Sequence, residues 1–362
     1  MGTDNALKIV KALQSNNTSL KEFTIASNNI GSEAANKIAV ILAHNTELQK
    51  LKMTQNELEE GNNIGSKAAG DIAAVLSRNT KLQKFNMANN NLETNSVIEI
   101  ARTLQHISSL IELNISSNNI GSKAADDIAA VISHNTKLQR LDIAENNLET
   151  YGIIRIAKHL KKTSCLQQFN SSSNNIGSNS ANDIAAVLSC NTKLQQFNIK
   201  GNDLQTSDII KIAIALQNTS SLLELNVSSN NISCDAAEDI ATVLSHNTKL
   251  QKFYIDGNAL QTSGAIKIAQ GLQNTLYLKE FDISSNKIGS EAADAIACVL
   301  SHNTKLQKFF IDINRLQTSG AIKVAKALQN TSSLKEFTIS SNNIGSDAAE
   351  DIAAVLSHNT EV

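Results

Sequence analysis

A motif of spaced apolar residues closed by an asparagine, LxxLxxxxN, recurs along most of the chain, often with phenylalanine in place of the second leucine. Counting the first leucine as position 1, the motif begins at Leu20, Leu48, Leu82, Leu110, Leu138, Leu166, Leu194, Leu222, Leu250, Leu278, Leu306 and Leu334. Consecutive starts are 28 residues apart, except for the 34 residues between Leu48 and Leu82. A fixed period of this length predicts a solenoid, in which stacked repeats share one continuous core.

Positions 4 to 6 of each repeat predict a short strand. In the last repeat, Phe337 and Ile339 alternate with Thr338, so the two apolar side chains share the buried face and Thr338 points outward. Asn342 follows at position 9. An asparagine at the same place in every turn can hydrogen-bond the backbone of neighbouring repeats. We therefore expect the asparagines at position 9 to form a ladder.

The second half of each repeat predicts a helix, in two alternating versions. In the version SSNNIGSDAAEDIAAVLSHNT (Ser340–Thr360), Ile352 and Leu356 share one helix face, and we expect Ser346 to be the N-cap. In the other version we expect Ser319 to be the N-cap. A single repeat cannot bury its apolar face alone, so the array must fold by stacking.

All repeats are predicted to form one domain, residues 1–362. Residues 1–19 are a partial first repeat, because 5–19 match only the helical half. Residues 48–81 begin as one version and continue as the other, with six extra residues, and we expect a bulged loop near Glu59–Asn62. Neither end shows a polar capping repeat. We expect a segment of a longer array, with solenoid ends able to self-associate.

The two alternating versions resemble the ribonuclease-inhibitor-like leucine-rich repeats, and are most similar to the repeat regions of NOD-like receptors. The pattern LxxLxLxxNxLxxxGxxxLxxxLxxxxx covers nearly the whole chain, although Phe85, Phe169 and Phe253 stand at position 4. This resemblance implies an α/β leucine-rich repeat solenoid, shaped as a horseshoe with a parallel inner sheet and outer helices. It would contain about 12 strand–helix repeats.

The resemblance also implies a non-catalytic module that recognises a protein partner on its concave face. Two alternatives stay open. Ran GTPase-activating proteins share this repeat class, so the chain is alternatively a regulator of a small GTPase. The near-identity of the repeats favours the other alternative, a repeat fragment with no partner of its own. Fold alone does not decide among the three.

Composition narrows the partners and the compartment. The formal net charge is −2 and charged residues make up 18% of the chain, which argues against nucleic acid or a membrane surface as the partner. Apolar runs are only a few residues long, so the sequence predicts no transmembrane helix. The four cysteines form no CxxC pair and suit a reducing compartment. We expect a cytoplasmic protein.

No motif predicts catalysis, a cofactor or a metal site. Five histidines share one repeat position: His44, His134, His246, His302 and His358. Copies two repeats apart would lie about 10 Å apart at the strands, too far to share a metal ion. The recurring NNIGS lacks the glycines and the lysine of a phosphate-binding loop, and GxSxG is absent. We therefore predict that the chain is not an enzyme and holds no cofactor.

Outward strand positions that depart from the repeat are the candidates for partner binding. Position 5 is polar in the first eight repeats and then becomes aromatic in two of the last four. Exposed aromatic residues beside acidic ones are typical of interaction hot spots. The alternative is that they cover the last strands without a partner. The C-terminal patch, as we name this group, comprises Tyr254, Asp256, Asp282, Phe310, Asp312 and Ile313.

Position 3 also points outward, and its charge alternates between many neighbouring strands. Glu22 precedes Lys50, and Lys308 precedes Glu336. Opposite charges directly across a strand pair attract each other. The sequence therefore predicts a ladder of cross-strand ion pairs.

Overall fold

The computed structural model describes residues 19–26, 31–54, 64–329, 331 and 333–358. The chain divides into two compact units, Met1–Ile176 (unit 1) and Gly177–Val362 (unit 2). The predicted partial repeat at 1–19, apart from Ser19, and the predicted bulge at Glu59–Asn62 lie outside the described residues. A single domain over 1–362 stays a prediction.

Strands of three residues alternate with helices in unit 1, as the repeat pattern predicts. Each strand pairs in parallel with the next one along the chain. In chain order the elements are β1 (Glu22–Thr24), α1 (Gly31–Leu42), β2 (Lys50–Lys52), α2 (Ile64–Leu76), β3 (Lys84–Asn86), α3 (Thr94–Leu104), β4 (Glu112–Asn114), α4 (Ala125–His134), β5 (Arg140–Asp142), α5 (Glu149–Leu160) and β6 (Gln168–Asn170).

Unit 2 continues the same alternation, again with parallel pairing between consecutive strands. Its elements are α6 (Ala181–Cys190), β7 (Gln196–Asn198), α7 (Thr206–Leu216), β8 (Glu224–Asn226), α8 (Ala237–His246), β9 (Lys252–Tyr254), α9 (Gln261–Leu272), β10 (Glu280–Asp282), α10 (Ala293–His302), β11 (Lys308–Phe310), α11 (Gln317–Leu328), β12 (Glu336–Thr338) and α12 (Ala349–His358).

Aromatic residues at position 4 form a column through the core of unit 2. Phe281 pairs with Phe253 on one side and Phe309 on the other, and all three are buried. Their ring centroids lie 5.9 and 5.6 Å apart, and the ring of Phe337 lies 6.0 Å beyond that of Phe309. Because side chains alternate along a strand, positions 3 and 5 face away from this column. We call that side the open face.

The asparagines at position 9 form the predicted ladder. The Asn118 Nδ2 group donates to three backbone carbonyls, including that of Met87 in the preceding repeat at 3.1 Å. Its Oδ1 accepts from the N–H groups of Asn90 and Leu92, at 3.1 and 2.9 Å. Asn230 makes the same set of contacts in unit 2. Each side chain thus joins two neighbouring turns and satisfies backbone groups that are buried away from water.

Both predicted N-caps are wrong. Ser346 is the first residue of a 3₁₀ turn, Ser346–Ala348, and the residue before it, Gly345, holds the extended cap position. The N–H of Gly345 donates instead to the hydroxyl of Thr318 in the preceding repeat, at 2.9 Å. Ser319 lies inside α11, which begins at Gln317. The repeat therefore satisfies this turn by a bond between neighbours rather than by a local serine cap.

Small residues set how closely the helices of unit 2 approach each other. At Gly271 in α9, a Cβ atom would lie 2.6 Å from both the Cα and the carbonyl oxygen of Ala241 in α8. Only a residue without a side chain fits such a contact. The helix pair α8–α9 is therefore packed backbone to backbone at this point.

Within the described ranges, no helix has the length and apolar character needed to cross a membrane.

Candidate functional site

The open face of β9 to β11 carries the position-5 residues of the C-terminal patch. In the sheet register, Asp282 pairs with Tyr254 on one side and with Phe310 on the other. All three side chains belong to partly exposed residues, whereas the phenylalanines next to them in sequence are buried. The structure thus places the three in one row, as the repeat alignment predicts.

Tyr254 is anchored to its neighbour rather than pointing freely into solvent. Its hydroxyl donates to Glu280 Oε2, and Lys252 Nζ lies 3.1 Å from Glu280 Oε1. Burial and the hydrogen bond to Glu280 raise the pKa of Tyr254 above its ordinary value. Burial acts to raise the pKa of Glu280 too, but the bonds from Tyr254 and Lys252 outweigh it and lower that pKa. The row therefore offers a fixed, protonated phenol beside an ionised carboxylate.

Asp282 is a partly exposed carboxylate whose ionised form is disfavoured by its surroundings. Burial raises its pKa, the hydrogen bond from the Ser284 N–H at 2.9 Å opposes this, and the charges of Asp256 and Asp312 raise it further. Other repeats carry an asparagine here that accepts the same bond, as Asn226 does from the Ser228 N–H at 3.0 Å. This backbone hydrogen bond therefore needs an acceptor oxygen but not a charge.

Asp256 and Asp312 flank the row at position 7. Asp256 accepts from the Ser228 hydroxyl, and Lys200 Nζ stands 3.9 Å from its Oδ2. Asp312 accepts from the Thr338 hydroxyl and from the Ser340 N–H, the latter at 2.6 Å. Both carboxylates are held by bonds to adjacent repeats, so their positions are fixed before any partner arrives.

Ile313 completes the patch and is unusual in its backbone. Position 8 has positive φ in every described repeat from Asn89 onward, where asparagine, serine, glutamate or glycine otherwise stands. Ile313 has φ of 52° and is 61% exposed. A β-branched residue in this region is a genuine outlier. An apolar side chain is thus presented to solvent at a position that disfavours it.

Position 3 forms the predicted ion-pair ladder. Lys50 Nζ lies 3.1 Å from Glu22 Oε2 in unit 1, and Lys308 Nζ lies 2.9 Å from Glu336 Oε2 in unit 2. Glu112 accepts from both sides, with Lys84 at 3.6 Å and Arg140 at 3.4 Å. These charges largely neutralise one another, which leaves positions 5, 7 and 8 as the distinctive part of the open face.

In the described residues, the histidines, which could act as catalytic groups or metal ligands, are not gathered into one site. The ring Nδ1 of His246 lies 2.7 Å from the carbonyl oxygen of Thr242, one turn earlier in the helix, and His134 lies 2.8 Å from Ala130 in the same way. In the part of the chain that the structure describes, no three histidine, cysteine, aspartate or glutamate side chains are placed to hold a metal ion.

Sequence reasoning missed several exposed apolar side chains, among them an adjacent pair in unit 2. Leu276 and Tyr277, in the turn before β10, are 52% and 49% exposed. Apolar residues just before a core leucine are easily read as part of the core. The signal that could have found them is the comparison with sister repeats, which carry serines or cysteine there.

Comparison with known proteins supports the fold. A family model described as Leucine Rich repeat matches residues 16–39, 106–129, 134–157, 219–241, 246–269 and 276–297. None of the curated proteins compared with the chain matches it. An internalin from Listeria monocytogenes is similar in structure, with a TM-score of 0.51 and 17% identity, over 88% of this chain and 86% of that one.

A second solved structure is the LRR ectodomain of the plant membrane receptor kinase GASSHO1/SCHENGEN3 from Arabidopsis thaliana. It aligns with a TM-score of 0.41 and 12% identity, over 90% of this chain and 45% of that one. The internalin likeness concerns the fold alone. Together with the six matched segments and the strand–helix alternation in both units, it shows that this chain has the leucine-rich repeat fold.

Proposed function

We propose that the chain is a non-catalytic protein-recognition module that binds a protein partner on the open face of unit 2, through the C-terminal patch. The observation that carries this proposal is Ile313. An exposed β-branched side chain in the left-handed region costs about 1–2 kcal/mol relative to an ordinary conformation, and other repeats avoid it. A residue retained against such a cost is better explained by a contact outside the chain than by the fold.

Asp282 supports the same proposal independently. Asn226 makes the same backbone bond without a charge, and in unit 1 Asp142 makes it with a pKa that burial raises. Asp282 differs from Asp142 in that two further aspartates, Asp256 and Asp312, add to the effect of burial on its pKa. Phe310 lies beside it in the register. Aromatic surface next to fixed charges is what hot spots of protein interfaces use.

The proposal also covers the subclass of leucine-rich repeat to which the chain belongs. Two alternating versions of 28 residues, each with a full helix, favour the ribonuclease-inhibitor-like class and the repeat regions of NOD-like receptors. All four cysteines are free, which suits the cytoplasm. The open face of unit 2 would then be the face that such repeats present to a partner.

The test is a pull-down from an extract of the source organism, which compares the proteins retained by the wild type, by a patch variant and by a matched control variant. Tyr254→Asn combined with Phe310→Thr gives the open face of unit 2 side chains that other repeats carry at position 5. The control, Asn86→Thr combined with Asn114→Thr, alters the same position in unit 1. We expect a specific protein to be retained by the wild type and the control and lost by the patch variant, and to be recovered with unaltered mass.

Two results would overturn the proposal. Retention of the same proteins by the patch variant would show that the patch is irrelevant to binding. Recovery of a cleaved or modified partner would show that the chain has an activity.

A further inference from the structure

In four turns of one of the two repeat versions, a side chain before the strand hydrogen-bonds to backbone carbonyls of the preceding turn, and we call this contact the tether. Just before position 1, Ser109 donates its hydroxyl to the carbonyls of Thr80 and Leu82 in the preceding repeat, at 3.0 and 2.7 Å. Ser221 and Ser333 do the same in unit 2. Cys165 keeps the contact through its thiol, at 3.5 and 3.7 Å. These four turns are thereby bonded to their neighbours.

The turn before Leu278 belongs to the same version but has no serine or cysteine just before the leucine to make this hydrogen bond. Leu276 and Tyr277 stand where Ser220 and Ser221 stand in the preceding turn of this version. Neither side chain enters the core, since about half of each is exposed. The Tyr277 ring instead lies under Lys305 of the following turn, with Nζ 5.1 Å from the ring centroid. They are the only adjacent pair among the large, exposed apolar side chains of the described residues.

The turns before the strands form one edge of unit 2, and the ionised side chains along this edge are all basic. We call it the basic rim: the turns of unit 2 over residues 189–195, 217–223, 245–251, 273–279 and 301–307, with residues 331 and 333–335. These turns contain no aspartate or glutamate and carry Lys193, Lys249, Lys279, Lys305 and Lys335. In unit 1, Lys81 Nζ at the corresponding position lies 2.7 Å from Glu47 Oε1, whereas the turn at 133–139 carries Lys137 and no acidic residue, as the turns of the rim do. No such ion pair holds Lys193, Lys249, Lys279 or Lys305 among the residues that the structure describes.

We infer that the basic rim is a second interaction surface, which binds an acidic segment of a protein partner. Leu276 and Tyr277 contact apolar side chains of that segment, and Lys249 and Lys305 on either side pair with its carboxylates. Charge complementarity selects the occupant, because a rim with several cations and no anion repels a basic segment. Exchanging a stabilising hydrogen bond for two exposed apolar side chains is the mark of a binding surface rather than of packing.

The test uses a fluorescein-labelled synthetic peptide in which glutamates surround a central leucine–phenylalanine pair. We expect its fluorescence anisotropy to rise on titration with the full chain and the dissociation constant to increase with added salt. Leu276→Ser combined with Tyr277→Ser, which restores the sister sequence, should weaken binding at least about tenfold. Lys249→Gln combined with Lys305→Gln should also weaken it.

Two matched variants separate the rim from other surfaces. Tyr151→Ser removes an equally exposed tyrosine from unit 1, 56% exposed, and should leave peptide binding unchanged. Tyr254→Asn combined with Phe310→Thr should also leave it unchanged, so this inference and the proposed function fail independently.

Four outcomes would overturn the inference. The peptide fails to bind, or a counterpart with lysine in place of every glutamate binds as tightly. The double serine variant unfolds at a lower urea concentration than the wild type, which would make the pair structural. Sedimentation shows a dimer of the wild type that the double serine variant abolishes, which would make the occupant a second copy of the chain.

Discussion

Ile313 shows how a single residue can depart from its repeat while the backbone does not. Position 8 keeps φ near 50–65° whether the residue is Ser285 at 54°, Ile313 at 52° or Gly257 at 65°. The neighbouring asparagine ladder imposes this backbone, so the side chain must accept it. Strain at Ile313 is therefore local and can be relieved by one substitution.

Ile313→Gly should stabilise the protein by about 1 kcal/mol, because glycine removes a left-handed penalty of about 1–2 kcal/mol and adds back part of it as unfolded-state entropy. The measurement is the urea unfolding midpoint. Ser285→Gly, at the same position one repeat earlier, is the control and should gain less. A loss of stability in Ile313→Gly would show that the isoleucine makes contacts that more than offset its strain.

Asp282 makes a second residue-scale prediction, which depends on pH. Its folded pKa is raised, so the folded state binds more protons than the unfolded state, and stability falls as the pH rises through the window above the unfolded value of about 3.9. Asp282→Asn should therefore be stabilising at pH 7 and nearly neutral at pH 3.

Urea unfolding of both proteins at the two pH values tests this. Asp347→Asn, at an exposed helix start, provides the control for removing one negative charge. Equal effects of Asp282→Asn at pH 7 and pH 3 would contradict the argument, since the difference arises from ionisation alone.

At the scale of elements, the asparagine ladder was predictable and the helix starts were not. An asparagine at the same place in every repeat has few roles other than bonding the backbone. The helix start after Gly345 follows no local cap rule, because Gly345 occupies the cap position and its N–H is bonded to Thr318 of another repeat. In α7, by contrast, Asp208 accepts from the Gln205 N–H at 3.0 Å in a local capping box. A pattern read along one segment cannot reveal a bond between segments. Ser233, which replaces that glycine, does cap its turn by accepting from Asp235.

Asn118→Ala should destabilise the protein by about 3 kcal/mol or more. The change leaves the N–H groups of Asn90 and Leu92 buried without their acceptor, at about 1–3 kcal/mol each. Chemical denaturation gives the value, and Asn119→Ala, at the exposed position beside the ladder, is the matched control. A cost below about 1 kcal/mol would mean that water replaces the side chain.

Gly271→Ala should also be destabilising, by about 1–3 kcal/mol, although alanine is the better helix former. The new methyl group would meet the backbone of Ala241 at 2.6 Å, and a backbone cannot rotate away as a side chain can. Thermal unfolding measures the effect. Ala327→Gly, the equivalent position in α11, should cost only the helix propensity of about 1 kcal/mol, and a stabilised Gly271→Ala would refute the close approach.

At the scale of the whole molecule, periodicity specifies the fold and departures from it specify the candidate sites. The period of 28, the inward positions 4 and 6 and the row of Tyr254, Asp282 and Phe310 all follow from alignment of the repeats, because a solenoid maps sequence position directly onto space. Whether Tyr254 is free or bonded to Glu280 does not follow, since that depends on side-chain conformation. Leu276 and Tyr277 were missed because exposure cannot be read from hydrophobicity.

The asparagine ladder also determines how the array would respond to tension. Asn230 donates to the carbonyl of Ile199 and accepts from the N–H groups of Asn202 and Leu204, and bonds of this kind join only adjacent turns. A pulling force applied at the C-terminus would therefore peel turns away one after another instead of rupturing unit 2 at once. Each release would lengthen the tether by roughly 90 Å, the extended length of 28 residues less the spacing of one strand. A force–extension curve of such a chain would therefore show evenly spaced extension steps.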